Sequence, residues 1–435
     1  MNFRILGSGL ASVVCSYELT MRGGHVEHIV PNLEKPANHF SGVKIHGFEF
    51  DIGMVLLEPR IDVVKRELAE FTGKTDASIN QFNWMVFKWL SELGISLEEV
   101  SIRSHFRENL IQDFLIADSL EITEKISDRE KTRFKRELHD AIKNQAYHPR
   151  NKTSSQIRDI PIKKLFRELY GEYFSEFLLQ IARRAAGQNA HLLQASRHRA
   201  LWLPLYYPET LEAALNGVRD VIPELPFFIP SGGGVHTIVK RLLNEMKLTQ
   251  RYSLISEENF NKQNPNSCED INTCSTSVQV IRFLRKDVSN FAYSSELSRV
   301  GIVFGWVSYD IEPKVVHSLD ENSSWFRASI STSFPGSIVI ELGHLAEFET
   351  ESSLMLRANE CYRALRLESV NIVGVQTPLI SFPVVKSRNE LNQSNLGISG
   401  ETRISTVNSY ATDGATTFNE QVLQGLKAAS EIHID

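Results

Sequence analysis

Gly7-Ser8-Gly9-Leu10-Ala11-Ser12 has the residue types and spacing to receive a diphosphate. Gly7 permits a sharp bend, and Gly9 lets main-chain N–H groups come close to paired phosphates. Ser12 is small enough for a following helix to pack on the preceding strand, and Ala11 keeps the first helical turn slim. The chemistry expected there is electrostatic, because the open N–H groups and positive dipole end of a helix would face phosphate oxygens. A second chemical group is Arg327, within Trp325-Phe326-Arg327-Ala328-Ser329. Its guanidinium can hold a phosphate or carboxylate through two parallel hydrogen bonds, or can snorkel from a strand edge into solvent.

The elements around these residues suit that chemistry. Phe3-Arg4-Ile5-Leu6 is a short strand, and Val13, Val14, Tyr17 and Leu19 follow the glycine turn with helical spacing. Gly23-Gly24 ends that helix, and Val26–Val30 forms the next strand, which completes one βαβ unit. Such a unit usually places a carboxylate at the end of its second strand, where it takes the ribose hydroxyls. Val30 stands in that place, followed by Pro31, Asn32 and Glu34, so Asn32 or Glu34 is left for the ribose. Phe48-Glu49-Phe50-Asp51-Ile52-Gly53 alternates as a strand running into a loop. Phe227–Pro230 and Ser231-Gly232-Gly233-Gly234 precede a helix whose stripe is Val235, Ile238, Val239, Leu242, Leu243 and Met246. Gly301–Val307 and Gly336–Glu341 are the clearest strands of a later sheet. Thr417 and Glu420 make a capping box for a closing helix through Val422, Leu423, Leu426 and Ala429.

Taken with the Phe-Asp-x-Gly segment at Phe50–Gly53, the chain resembles the superfamily of flavin-dependent amine oxidases, protoporphyrinogen oxidases and phytoene desaturases. The UDP-galactopyranose mutases are related to it. The resemblance also rests on Ile160–Phe166, Tyr170–Phe174, Leu201–Pro208 and the Pro230-x-Gly232-Gly233 return. It departs at Pro36–Gly42, where those proteins usually carry a Gly-Gly-Arg-like stretch. The fold it implies is α/β, with a discontinuous Rossmann-like FAD-binding domain over 1–60, 225–290 and 385–435. A mostly helical region over 61–224 and a β-sheet substrate domain over 291–384 complete that scheme.

The implied cofactor is FAD, and the implied cofactor residues are Gly7, Ser8, Gly9, Leu10, Ala11, Ser12, Asn32, Asp51, Gly53, Gly414 and Thr417. Arg327, Tyr206, Tyr207 and Tyr293 are the substrate-side candidates. The implied activity is hydride transfer from a small-molecule substrate to flavin. A flavin-dependent nucleotide-sugar mutase and a non-catalytic protein with a degenerate cofactor site are the two alternatives.

Composition removes other classes. The balance of 47 Lys+Arg against 53 Asp+Glu, net −6, argues against a nucleic-acid coat. No apolar run is long enough to span a bilayer, and the N-terminus lacks the pattern of a signal peptide. Cys15, Cys268, Cys274 and Cys361 give neither a disulfide framework nor a zinc spacing, so a cytoplasmic location is expected. The turn at Gly7 has no Lys-Ser/Thr ending, which excludes a nucleoside-triphosphate loop. G-x-S-x-G, H-E-x-x-H and C-x-x-C are absent too. His25 and His28 read as structural, Arg129–Arg136 as a solvated helix face, and Arg183-Arg184 as solvent-facing.

Overall fold

The structure, a computed structural model, describes residues 1–53, 55–57, 85–112, 121–144, 160–195, 208–218, 227–263, 278–284, 294–309, 311–312, 314–345, 349–384, 404–408 and 418–432. The chain opens with β1 (Asn2–Leu6), α1 (Leu10–Met21) and β2 (His25–Val30), then the hairpin β3 (Val43–Ile45) and β4 (Phe48–Phe50). Next come β5 (Leu97–Glu99), β6 (Ile102–Phe106), β7 (Asn109–Ile111), α2 (Asp128–Asn144), α3 (Ile162–Ala186) and α4 (Pro208–Leu215). They lead to β8 (Phe228–Pro230), α5 (Val235–Leu248), β9 (Tyr252–Ser256) and β10 (Val278–Leu284). The later part holds β11 (Ser294–Trp306), β12 (Val315–Ser318), β13 (Arg327–Ile330), β14 (Ser337–His344) and α6 (Glu351–Ala364). It ends with β15 (Asn371–Gln376), β16 (Leu379–Val384), β17 (Ile404–Asn408) and α7 (Phe418–Ser430).

Two sheets organise these elements. A five-stranded sheet has the order β17-β10-β1-β2-β9, and every pair in it is parallel. Parallel neighbours need crossovers, which is why this sheet gathers strands from widely separated parts of the chain. Phe3, Ile5 and Val26 point into a core shared with α1, α5 and α7. Arg4 takes the opposite face, paired with Glu27 at 2.8 Å and lying over the Phe260 ring. The expected α/β class is therefore the one observed.

The second sheet has eight strands in the order β15-β11-β14-β13-β12-β6-β7, with β16 joined to β11. Its pairs are antiparallel except β12–β6. The strands β6 and β7 come from a part of the chain expected to be mostly helical. On one face Ile338, Ile340 and Leu342 pack under α6, whose start is capped by Thr350 accepting from the Ser353 N–H. On the other face Val339, Phe304 and Ile302 meet Phe50. There Phe48 stacks on Trp306 and on Phe334, an aromatic seam that joins the β3–β4 hairpin to the mixed sheet.

Helices α2 and α3 form a separate core around Phe134, Phe166, Tyr170, Phe174 and Leu178. α3 is kinked at Gly171 (φ +81°), where Glu137 of α2 accepts the Tyr173 N–H and restarts the helix. Arg184, expected in solvent, is instead half-buried and donates to the carbonyl oxygens of Ser318 and Asp320. Burial lowers its pKa to about 10. Glu257–Gln263 forms a short helix. Among the described residues, no helix is long and apolar enough to cross a membrane.

Candidate functional site

The glycine turn lies at the carboxyl end of β1, in the middle of the parallel sheet, where open α/β sheets bind ligands. Gly7 has φ +132°, and a Cβ there would lie 2.6 Å from the Phe283 carbonyl oxygen, so only glycine fits. At Gly9 (φ +151°) an added Cβ would meet only the tip of the Gln421 side chain, 3.6 Å away. Gly7 N–H donates to Ile29 O, and Gly9 N–H to Pro36 O, both at 3.0 Å. Leu10 N–H donates to Gln421 Oε1, also at 3.0 Å. The first main-chain bond of α1 runs from Val13 to Gly9, so the Ala11 and Ser12 N–H groups emerge at the helix end. No acidic residue stands in that first turn to oppose an anion.

A buried histidine fixes the turn from below. His28 Nε2 lies 3.0 Å from Gly7 O, and its Nδ1 lies 3.0 Å from the Tyr252 hydroxyl. A carbonyl only accepts, so Nε2 carries the proton, and the tyrosine donates to Nδ1. Burial lowers the His28 pKa to about 4, which keeps the ring neutral. Val30 is fully buried. Asn32 follows it in an Asx turn, its Oδ1 accepting from Glu34 N–H at 2.9 Å.

Asp51 and Gly53 connect this end to the mixed sheet. The Asp51 carboxylate accepts from the N–H groups of Val235 and His236 and lies 2.9 Å from His236 Nδ1. It therefore caps the start of α5, and a Cβ at Gly234 would fall 2.2 Å from its Oδ2. Asp51 N–H donates to Ser333 Oγ, while Gly234 N–H donates to Ser333 O. The Asp51 carboxylate thus holds the loop and the helix together. Gly53 (φ +77°) sits directly on Glu341, with its Cβ position 3.1 Å from Glu341 Oε1.

Glu341 ends a polar row that sequence reasoning missed. Strand register places Ser104 beside His317, His317 beside Arg327, and Arg327 beside Glu341, across β6, β12, β13 and β14. Arg327 donates from Nε to Glu341 Oε1 and from Nη2 to Oε2, the latter at 2.7 Å. Both side chains are only about a tenth exposed, at 11% and 10%. The Arg327 Nη1 and Ser329 Oγ atoms are buried and make no hydrogen bond among the described residues. Burial, helped by the Arg327 charge, lowers the His317 pKa to about 3, so this ring is neutral as well. The only sequence signals were polar residues within otherwise apolar strands, at Val316-His317-Ser318 and Ile340-Glu341-Leu342.

The glycine turn thus meets the segment after β2 through Gly9 N–H and Pro36 O, and Gly53 meets Arg327 through Glu341. Tyr206, Tyr207, Tyr293, Gly414 and Thr417 lie outside the described residues.

No protein-family model matches this chain, and no curated protein sequence does. Solved structures do. A reduced UDP-galactopyranose mutase superposes with a TM-score of 0.59 at 11% identity, covering 99% of this chain and 93% of that one. An oxidoreductase from Methanosarcina mazei gives a TM-score of 0.55 at 11% identity, covering 99% and 100%. Cyclohexylamine oxidase from Brevibacterium oxydans gives 0.55 at 9% identity, covering 99% and 98%. At these identities the likeness establishes the fold, and it is the fold that the sequence resemblance implied.

Proposed function

We propose that this chain is an FAD-binding oxidoreductase that takes a hydride from a small-molecule substrate. The observation that carries the reading is the Gly7–Ser12 turn. It opens a helix start free of acidic residues at the carboxyl end of the central strand of a parallel sheet. The residues fit a dinucleotide, because the space over Gly9 holds only a movable side-chain tip and the Ala11 and Ser12 N–H groups are donors. The turn would hold the pyrophosphate, and the Asn32 carboxamide would take the ribose in place of the missing carboxylate. Gly53 would let the loop approach the flavin closely, with Asp51 fixing that loop through α5. Gly414 and Thr417 complete the cofactor set implied by the resemblance, and Tyr206, Tyr207 and Tyr293 would line the substrate side. Bound FAD supplies a two-electron acceptor, and the protein supplies orientation and exclusion of water.

Arg327 separates this reading from a nucleotide-sugar mutase. A guanidinium free to hold a diphosphate favours the mutase. Here the Glu341 carboxylate occupies two of its donors and cancels its charge. A balanced, buried pair suits an uncharged or weakly polar substrate better than a nucleotide diphosphate. The oxidoreductase is accordingly the preferred reading.

The test is to purify the protein, denature it and identify the released small molecule by mass spectrometry. FAD in the extract, with turnover that requires oxygen or an added electron acceptor, is the expected result. Turnover of a nucleotide sugar with no net acceptor would favour the mutase instead. Protein that carries no FAD and takes none up on addition would overturn both.

A further inference from the structure

We propose that Gln421 is a resident competitor for the diphosphate position, closing the cradle whenever no dinucleotide fills it. This rests on the dinucleotide reading above and adds how occupancy of that site is controlled. Leu10 N–H is one of the open donors at the start of α1, and the Gln421 carboxamide oxygen accepts it at 3.0 Å. That oxygen also lies nearest to the open side of Gly9, 3.6 Å from where a Cβ would stand. An amide oxygen is a weaker version of the phosphate oxygen such a donor otherwise takes. The capping residue comes from the last described helix, 411 positions away in sequence, so it is a tertiary device rather than a local turn.

The competition is confined to one side chain, because the two helices cannot separate. A Cβ at Gly425 would fall 2.6 Å from Ala11 O, so α7 already lies as close to α1 as backbones allow. Arg22 at the far end of α1 donates to Ala429 O at 2.9 Å. Phe418 and Val422, on either side of Gln421, are buried in the shared core. Gln421 itself is half-buried and can rotate outward without moving the helix. A dinucleotide then binds only after breaking the Leu10 bond, which weakens its apparent affinity by the strength of one helix cap.

The experiment compares full-length wild type, Gln421→Ala and Gln421→Glu after removal of bound flavin. FAD titration by fluorescence quenching gives affinity. Hydrogen–deuterium exchange of the peptide spanning residues 7–13 gives the state of the cap without cofactor. Thermal melts confirm that each variant is folded, and Gln421→Ser serves if the alanine variant is not. Removing the competitor should tighten FAD binding about fivefold and speed exchange in the apo peptide. The glutamate should weaken binding about tenfold or more, since its charge is held by the helix end and repels phosphate. Equal FAD affinities in all three proteins would overturn the proposal and leave the dinucleotide reading standing. Weaker binding by the alanine variant would also overturn it, marking Gln421 as a ligand of the cofactor. No FAD binding by any of them would instead overturn the dinucleotide reading, and the competitor with it.

Discussion

At the glycine turn the candidate groups are main-chain N–H donors placed by six consecutive residues, whereas across the mixed sheet they are side chains from positions 104, 317, 327 and 341. The first arrangement is set by backbone conformation and tolerates most side-chain changes that leave its glycines alone. The second exists only once four strands have paired in register, and each member depends on its neighbour. Glu341 keeps Arg327 tolerable inside the protein, and Arg327 does the same for Glu341. A site made of backbone is robust to substitution and fragile to geometry; a site made of paired charges is the reverse.

The largest effect should come from splitting the charge pair. Glu341→Gln leaves a buried guanidinium uncompensated and should cost about 3–5 kcal/mol in denaturant unfolding. The double variant Arg327→Met/Glu341→Leu should recover most of that loss; if it is as unstable as the single variant, the row is held by more than the pair. At the backbone-built end, Gly7→Ala forces a Cβ against Phe283 O at a positive φ and should cost on the order of 3 kcal/mol.

Acid should weaken both regions through their neutral histidines. The folded pKa values of His28 and His317 are about 4 and about 3, below the ordinary 6.5. The unfolded chain therefore binds more protons below pH 6.5, so this stability is fully present above that pH and is lost as pH falls toward the folded values. Each ring should cost about 2 kcal/mol between pH 7 and pH 5, read from denaturant melts at the two pH values. His28→Gln should flatten that slope by about half, and an unchanged slope would mean the glycine turn is not held by a neutral ring. The smallest effect is expected for Ser8→Ala, within about 0.5 kcal/mol, because the turn is read through its backbone. A large loss of stability there would break the contrast.

The same contrast explains what could be read from the chain beforehand. The strand, glycine turn, helix and second strand over residues 2–30 were legible, because their signals are local spacing and small residues at fixed offsets. The apolar stripe at Val235, Ile238, Val239, Leu242, Leu243 and Met246 was legible for the same reason; Leu243 is partly buried and the other five are buried. Arg327 was singled out, but not the partner of its guanidinium. Glu341 lies 14 positions away and joins Arg327 only through β13–β14 register, which no local pattern encodes. Gln421 as the cap of Leu10 was hidden by a separation of 411 residues. The capping role of Asp51 was hidden too, since its partners Val235 and His236 belong to a different segment.

The order of strands in the parallel sheet bears on how the chain is made. Strand Asn2–Leu6 is flanked by His25–Val30 and by Val278–Leu284, and the latter leaves the ribosome some 250 residues later. During that interval the nascent central strand presents one unpaired, largely apolar edge. That edge closes only when Val278–Leu284 arrives, so the central strand completes its pairing late in synthesis.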